Sequence, residues 1–199
     1  RDDRFNTRLC AREQPVENKG HYTVYLPSYD DQRILKMLKL CGDVRWQVFS
    51  KHNRHTIDAG NIVIQPISNE AFIKSMASAE GVICGAGFET PAEALFMKKK
   101  LLVIPMKGQY EQQCNAAALK EMGVAVIRSF KPVYTGKIME WIEKGKIVEV
   151  HYPDITETLI NQIIGWHSET AEPKTPLEEK EYTVKKFRNL LLRKIVAQF

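Results

Sequence analysis

The chain has 199 residues, of which 44% are hydrophobic and 27% are charged, and its formal net charge is +5. This length and composition predict one globular domain, or one domain plus a tail, whose core needs no disulfide or metal staple. No run approaches the ~18 apolar residues of a membrane span, and no nucleic-acid-binding signature with interleaved aromatics is present, so we expect no nucleic-acid partner.

The cysteines and the first residue bear on the compartment and on the length of the natural protein. Cys10, Cys41, Cys84 and Cys114 are widely spaced and form no C-x-x-C pair, which predicts a reducing, hence cytoplasmic, environment. No ligand spacing typical of a metal site is present, and we expect neither a metal nor a cofactor. The chain starts at Arg1 rather than Met, so a targeting segment could be missing from it.

In chain order, residues 1–20 are polar and aperiodic and indicate a leader or a cut linker. The β-branched run at 21–27 predicts the first strand, and Asp30 or Asp31 is expected to cap the first helix. The apolar side of that helix would carry Ile34, Leu35, Leu38 and Leu40. Further strands are predicted at 46–50, 61–65, 81–84, 101–105 and 124–127, and further helices at 68–77, 90–97, 111–122, 136–144 and 154–166.

The alternation of strands and helices determines the expected fold class. It predicts βαβ units, hence an α/β fold with a Rossmann-like, doubly wound parallel sheet, helices on both faces and further helices at the C-terminus. We assign residues 21–167 to this domain, 168–181 to a polar, proline-bearing linker, and 182–199 to a basic amphipathic helix.

The strongest functional signal lies between residues 82 and 116. Two buried strands in this stretch each lead through a glycine-bearing turn into a polar helix start. A helix start presents unpaired N–H groups and a partial positive charge, which suit a phosphate. Two such starts side by side on one edge of a parallel sheet predict a nucleotide site.

At the first of these helix starts, Gly85, Ala86 and Gly87 would let a ligand approach the backbone closely. Thr90 fits the N-cap and Glu93 lies three residues later, as in a capping box. Two roles therefore stay open for Glu93. It could satisfy an orphan N–H at the helix start, or its two carboxylate oxygens could accept hydrogen bonds from the two hydroxyls of a ribose.

At the second helix start, Gln112 and Gln113 could bind sugar hydroxyls, because an amide group donates one hydrogen bond and accepts another. The alternative is an ordinary solvated helix start, in which Glu111 complements the helix dipole.

The motif that starts at Gly87, Gly-Phe-Glu-Thr-Pro-x-Glu-Ala-Leu, is followed by Val-Ile-Pro, Gly-Gln-x-Glu-Gln and Asn-Ala. This pattern resembles the donor-binding half of GT-B glycosyltransferases, above all a bacterial family with the same string and, more distantly, MurG-like enzymes. The resemblance covers residues 21–167 and implies one half of a GT-B fold, in which two α/β domains face each other. The chain is then expected to be the C-terminal half of a longer enzyme.

The resemblance also implies a set of donor-binding residues. These are Gly87, Phe88 and Glu89 at the diphosphate with Thr90 at the same helix start, Glu93 at the ribose of a UDP-sugar, and Gln112 and Gln113 at the sugar. Ser28 and Tyr29 match a phosphate-contacting loop more loosely, and the main chain around Ile67 matches the segment that binds the base. For these last three residues an ordinary turn and an ordinary helix cap are equally good interpretations.

Some positions depart from the family pattern. Ala86 stands where a glycine is usual, and Lys98-Lys99-Lys100 replaces Gly-Lys-Pro. We expect this replacement to remove a favourable left-handed helix stop and to leave the three lysines in a solvated turn. His52 and His55 are expected to face solvent, and no catalytic residue is assigned in this chain.

The predicted function is donor binding in the transfer of a hexosyl or N-acetylhexosaminyl group from a UDP-sugar to an acceptor hydroxyl. The candidate acceptors are a lipid-linked molecule and a glycan. The chain alone is expected to be inactive, and its partner would be an N-terminal GT-B domain.

Three alternative functions stay open. They are a UDP-sugar epimerase or hydrolase, a non-catalytic donor-binding subunit of a two-chain transferase, and a plain interaction domain. The C-terminal helix would pack on the partner domain or, alternatively, bind an anionic membrane at its inner face.

Overall fold

The computed structural model describes residues 14–151, 153 and 155–169. The chain divides into two compact units, Arg1–Val150 and His151–Phe199, and each is described by itself. The predicted helix at 182–199 and most of the predicted linker lie outside the described residues.

The first unit contains seven strands and five α-helices in its described part. The strands are β1 (Tyr22–Tyr25), β2 (Trp46–Ser50), β3 (Ile57–Asp58), β4 (Ile62–Pro66), β5 (Gly81–Gly85), β6 (Lys100–Ile104) and β7 (Ala125–Val126). The helices are α1 (Asp31–Leu38), α2 (Asn69–Ser78), α3 (Glu89–Phe96), α4 (Tyr110–Glu121) and α5 (Thr135–Lys144). In the second unit, α6 (Thr156–Glu169) is the described helix.

The strands form one sheet in the order β3-β4-β2-β1-β5-β6-β7. All neighbouring pairs are parallel except β3 and β4. The chain runs outward from β1 to β2 and β4, then crosses back to β5 on the other side of β1. The strand order thus reverses between β1 and β5, and in open α/β sheets such a reversal places a ligand-binding crevice at the carboxyl ends of the strands.

Helices cover both faces of the sheet, as the sequence predicts. One apolar cluster joins β-strand side chains such as Val48 and Ile83 to α1 and α5. The other joins their sequence neighbours, such as Phe49 and Val82, to α2, α3 and α4. Successive residues of each strand thus point to opposite faces, and the sheet is buried on both of them. The α/β, Rossmann-like, doubly wound fold is confirmed.

Local signals for several helix ends are also confirmed. Asp30 caps α1 by accepting the N–H of Arg33, and Ser68 caps α2 by accepting the N–H of Ala71. After α4, Gly123 has a φ of +94°, the left-handed conformation that ends a helix.

Three structural features differ from the elements expected from the sequence. The two-residue strand β3 was not predicted, because its exposed Ile57 and Asp58 carry no alternating pattern. Leu40 is exposed rather than packed, since α1 ends at Leu38 and a 3₁₀ turn follows. The helix predicted at 154–166 begins and ends later, because α6 spans Thr156–Glu169.

The Lys98–Lys100 turn also differs from the expectation. Lys98 does adopt the left-handed conformation, with φ +52°, but the two lysines that follow it are not solvated. Lys99 is 4% exposed and donates its ammonium protons to the carbonyls of Glu17 and Ala77. Lys100 forms an ion pair with Glu80 at 2.8 Å. The chain therefore folds the segment before β1 over Lys99, a contact between distant positions that the local sequence does not reveal.

None of the helices in the described ranges is both long enough and apolar enough to cross a membrane.

Candidate functional site

The carboxyl edge of the sheet gathers all the predicted donor-binding residues. Because β1, β2, β4, β5 and β6 are parallel, the loops that follow them emerge at one edge. The loop after β1 carries Ser28 and Tyr29, and the loop after β4 carries Ile67. The loops after β5 and β6, together with the helices α3 and α4 that follow them, carry the remaining candidates.

The turn between β5 and α3 is open to solvent. A Cβ built on Gly87 would meet no atom within 4 Å, and Phe88 is 68% exposed. No side chain caps α3 at Phe88. The start of α3 therefore has no side-chain cap and lies beside an open turn, as an anion site requires.

The predicted capping box at Thr90 and Glu93 is wrong. The backbone of Phe88 is already helical, with φ −85° and ψ −49°, so α3 begins at Glu89 and Thr90 is its second residue. An N-cap residue needs an extended backbone, and Thr90 has none because it lies inside the helix. Glu93 consequently lies in the second turn, away from the position that reaches back to a cap.

Glu93 lies beside the carboxyl end of β5. Burial and, to a lesser degree, the charge of Glu93 raise the pKa of the Cys84 thiol. The Glu93 side chain is itself half-buried and makes further interactions within the chain. This position next to the β5 end is compatible with a carboxylate that reaches the crevice.

The second helix start, that of α4, also lacks a side-chain cap. Gly108 turns the chain with φ +83°, and the side chain of the cap residue Gln109 makes no capping hydrogen bond. Tyr110 is 80% exposed and shares a hydrogen bond with Cys114, which raises the pKa of the Tyr110 hydroxyl.

Two side chains of α4 tie the two donor loops together. The Oε1 of Gln112 accepts the N–H of Met106 at 3.0 Å, in the loop after β6. The Nδ2 of Asn115 donates to the carbonyl of Ala86 at 3.1 Å, in the turn after β5. The Gln112 oxygen also lies 3.5 Å from the position of a Cβ on Gly85.

The two predicted sugar contacts, Gln112 and Gln113, therefore have different environments. Gln112 lies at the junction of the loops and is partly engaged, whereas Gln113 is exposed. Sequence reasoning missed the role of Asn115; its position three residues after Gln112, on the same helix face, was the available signal.

Tyr29 holds the loop after β1 against a distant segment. Its hydroxyl accepts the N–H of Phe130 at 3.0 Å, its ring contacts the Phe130 ring at 6.0 Å, and the Arg33 guanidinium lies 5.1 Å from its ring centre. Ser28, next to it, is exposed. Ile67 donates its N–H to the carbonyl of Ser50 at 2.8 Å, so that amide is not available to a ligand.

No group of three or more His, Cys, Asp or Glu side chains suited to a metal occurs among the residues that the structure describes.

A protein-family model matches most of the first unit. It is described as "Glycosyl transferase family 1" and covers residues 9–144, whereas a comparison with curated proteins found no match. Similar solved structures include the glycotransferase of kitacinnamycin (TM-score 0.46, 17% identity, 66% of this chain and 36% of that one). They also include ALG13 (TM-score 0.47, 17% identity, 75% of this chain and 98% of that one). A third is the spinosyn forosaminyltransferase SpnP (TM-score 0.46, 13% identity, 77% of this chain and 46% of that one). This chain spans about a third of the first of these structures and nearly all of ALG13.

Proposed function

The chain belongs to glycosyl transferase family 1, and we propose that it forms the donor-binding half of a MurG-like GT-B glycosyltransferase. The donor is a UDP-sugar, and the group transferred is a hexosyl or N-acetylhexosaminyl group. The acceptor hydroxyl and the base that deprotonates it belong to an N-terminal GT-B domain that faces this one.

One observation carries the proposal. Two helix starts without side-chain caps, those of α3 and α4, follow adjacent strands at the carboxyl edge. Asn115 and Gln112 hold their two loops in a common arrangement. Such paired N–H groups, fixed before a ligand arrives, suit a diphosphate because they stabilise its charge without reorganising.

The resemblance to the GT-B family supports the remaining contacts of the proposal. The Gly87–Glu89 turn, with Thr90, holds the diphosphate, Glu93 accepts the ribose hydroxyls, and Gln113, with Gln112, contacts the sugar. Ser28 and Tyr29 approach the diphosphate from the loop after β1. The main chain around Ile67 contacts the uracil through groups other than the Ile67 amide, which Ser50 occupies.

The chemistry is a displacement at the anomeric carbon of the sugar. The acceptor oxygen forms a bond to this carbon while the bond to the diphosphate oxygen breaks, and the electron pair stays on the leaving UDP. The N–H groups at Gly87 and Phe88 stabilise that growing negative charge. The acceptor proton passes to the base of the facing domain, so this chain alone binds nucleotide weakly and catalyses nothing.

The helix predicted at 182–199, which lies outside the described residues, completes the proposed assembly. We assign it to packing on the N-terminal domain, and its basic residues give attachment to the inner face of an anionic membrane as the alternative.

The variant Glu93→Ala tests the donor site. Loss of the carboxylate removes the acceptor of two ribose hydroxyls, so UDP affinity should fall at least about tenfold. Titration calorimetry measures it, and a circular dichroism melt checks the fold.

Glu121→Ala is the matched control, because it removes an exposed carboxylate from the opposite end of α4. Equal UDP affinity in the Glu93 variant and the unchanged chain would refute the ribose role.

A further inference from the structure

A loop with four basic side chains follows β2 at the same carboxyl edge. Its sequence is Lys51-His52-Asn53-Arg54-His55, and it leads from β2 to the edge strand β3. The four basic side chains are exposed. Ion pairs in the described part of the chain involve Lys19, Lys74 and Lys100, and none involves this loop. The positive charges of Lys51 and Arg54 attract an anion.

The backbone of this basic loop, residues 51–55, is fixed from below. Ser50, 4% exposed, accepts the N–H groups of His52 at 3.0 Å and Asn53 at 3.3 Å through its hydroxyl oxygen. The same hydroxyl donates to the Asp31 carboxylate at 2.8 Å, and the Asn53 amide donates to that carboxylate too. The Asp31 carboxylate therefore accepts hydrogen bonds from the two neutral side chains, Ser50 and Asn53, that hold the shape of the loop. A loop ordered in advance loses less entropy when it binds a ligand.

The basic loop adjoins the proposed donor site without sharing its residues. Its strand, β2, lies between β1 and β4 in the sheet. The loop thus follows the sheet edge between the turn of Ser28 and Tyr29 and the segment of Ile67, whose N–H bonds to the Ser50 carbonyl.

We propose that residues 51–55 form a phosphate-binding site separate from the two helix starts. Lys51 and Arg54 supply the charge, the planar guanidinium matches two phosphate oxygens, and the two imidazole rings add N–H donors. The phosphate belongs either to a soluble phosphorylated substrate or to a phospholipid headgroup. The site adds to the proposed function and uses residues that the donor site does not.

The test is a titration of the full 199-residue chain, labelled with ¹⁵N, with inorganic pyrophosphate. We expect saturable shifts of the amides at 51–55, and an affinity about tenfold weaker in the double variant Lys51→Gln/Arg54→Gln. The double variant Lys36→Gln/Lys39→Gln is the matched control. It removes the same charge from the opposite edge of the sheet, where α1 ends, and should keep its affinity within about twofold.

Ser50→Ala distinguishes a built site from general attraction. It leaves the charge unchanged but removes the hydrogen bonds that Ser50 makes to the loop, so pyrophosphate should bind several-fold more weakly. Asn53→Ala should have the same effect without changing the buried Ser50. Equal weakening in both charge-removing double variants, with no effect of Ser50→Ala or Asn53→Ala, would overturn the site.

Two further arms identify the source of the phosphate and separate this site from the donor site. Vesicles of phosphatidylglycerol and phosphatidylcholine should bind through Lys51 and Arg54 if the ligand is a headgroup. Pyrophosphate binding without vesicle binding indicates a soluble phosphate.

In the Glu93→Ala variant, the pyrophosphate-induced shifts of the amides at 51–55 should persist. Shifts confined to the starts of α3 and α4 would refute the loop site and leave the donor site standing.

Discussion

Lys98 and Lys99 are identical neighbours in the sequence and have opposite environments. Lys98 is exposed and adopts a φ of +52°. This left-handed conformation is strained for any residue that has a Cβ atom, but not for glycine. Lys99 is buried, and burial lowers its pKa because desolvation disfavours the ammonium form. Its hydrogen bonds to two carbonyls offset part of that cost.

The Lys98→Gly variant should therefore be more stable. Relief of the left-handed strain exceeds the entropy that a glycine loses on folding, and we expect a gain of about 0.5–1 kcal/mol in the free energy of unfolding. Urea denaturation measures the gain. Lys98→Ala is the control, since alanine retains its Cβ and the strain. An equal gain in both variants would assign the effect to the lost charge.

At the scale of elements, α4 decides how the loops after β5 and β6 are held. Its buried side, with Ala116 and Leu119, packs on the sheet. Gln112 and Asn115 precede these buried residues in the helix, and they form hydrogen bonds to the two loops instead of packing in the core. The helix is thus both a cover for the sheet and a clamp for the candidate site.

Removal of one clamp bond in Asn115→Ala should loosen the turn after β5. The Ala86 carbonyl loses its donor, which costs about 1 kcal/mol of stability, and amide exchange at Gly87 and Phe88 should accelerate. Hydrogen exchange followed by NMR measures this. Gln113→Ala, at an exposed position of the same helix, should change neither quantity. Unaltered exchange in the Asn115 variant would show that the turn holds its shape without the clamp.

At the scale of the whole first unit, His21 links the folded state to pH. His21 is buried before β1, and its Nε2 lies 3.1 Å from the Ser75 carbonyl, to which it can donate. Burial lowers its pKa from 6.5, the Ser75 bond opposes that effect, and the charges of Arg45, Lys99 and Lys19 add to it. The unfolded chain therefore binds a proton more readily than the folded one.

Stability should fall as the pH drops through about 6.5 toward the lower pKa of the folded state, and this His21 contribution should be absent in His21→Gln. Glutamine can still donate to Ser75, so the variant should fold. Free energies of unfolding in urea at about pH 7.5 and about pH 5.5 measure the difference. His151→Gln, at an exposed position, should keep the full pH dependence. The same slope in His21→Gln and the unchanged chain would contradict the prediction.

The sequence by itself determined the order and type of nearly all the described elements. Strand periodicity, caps such as Asp30 and Ser68, and the Gly123 stop act over a few residues, so they can be recognised locally. The family motif also marked the two turns that lead to the candidate site. The family model independently matches the chain at residues 9–144.

Only the tertiary structure decided where α3 starts, that Lys99 is buried, and that Asn115 and Gln112 join two loops. The bonds of Lys99 and of Asn115 join segments far apart in the chain. Glu17 and Lys99, for example, are separated by 82 positions. The strand order that brings β1 beside β5, and with it the crevice, is likewise a product of packing two apolar faces at once. Local patterns carry no information about which distant partner satisfies a polar group, and that choice shapes the site.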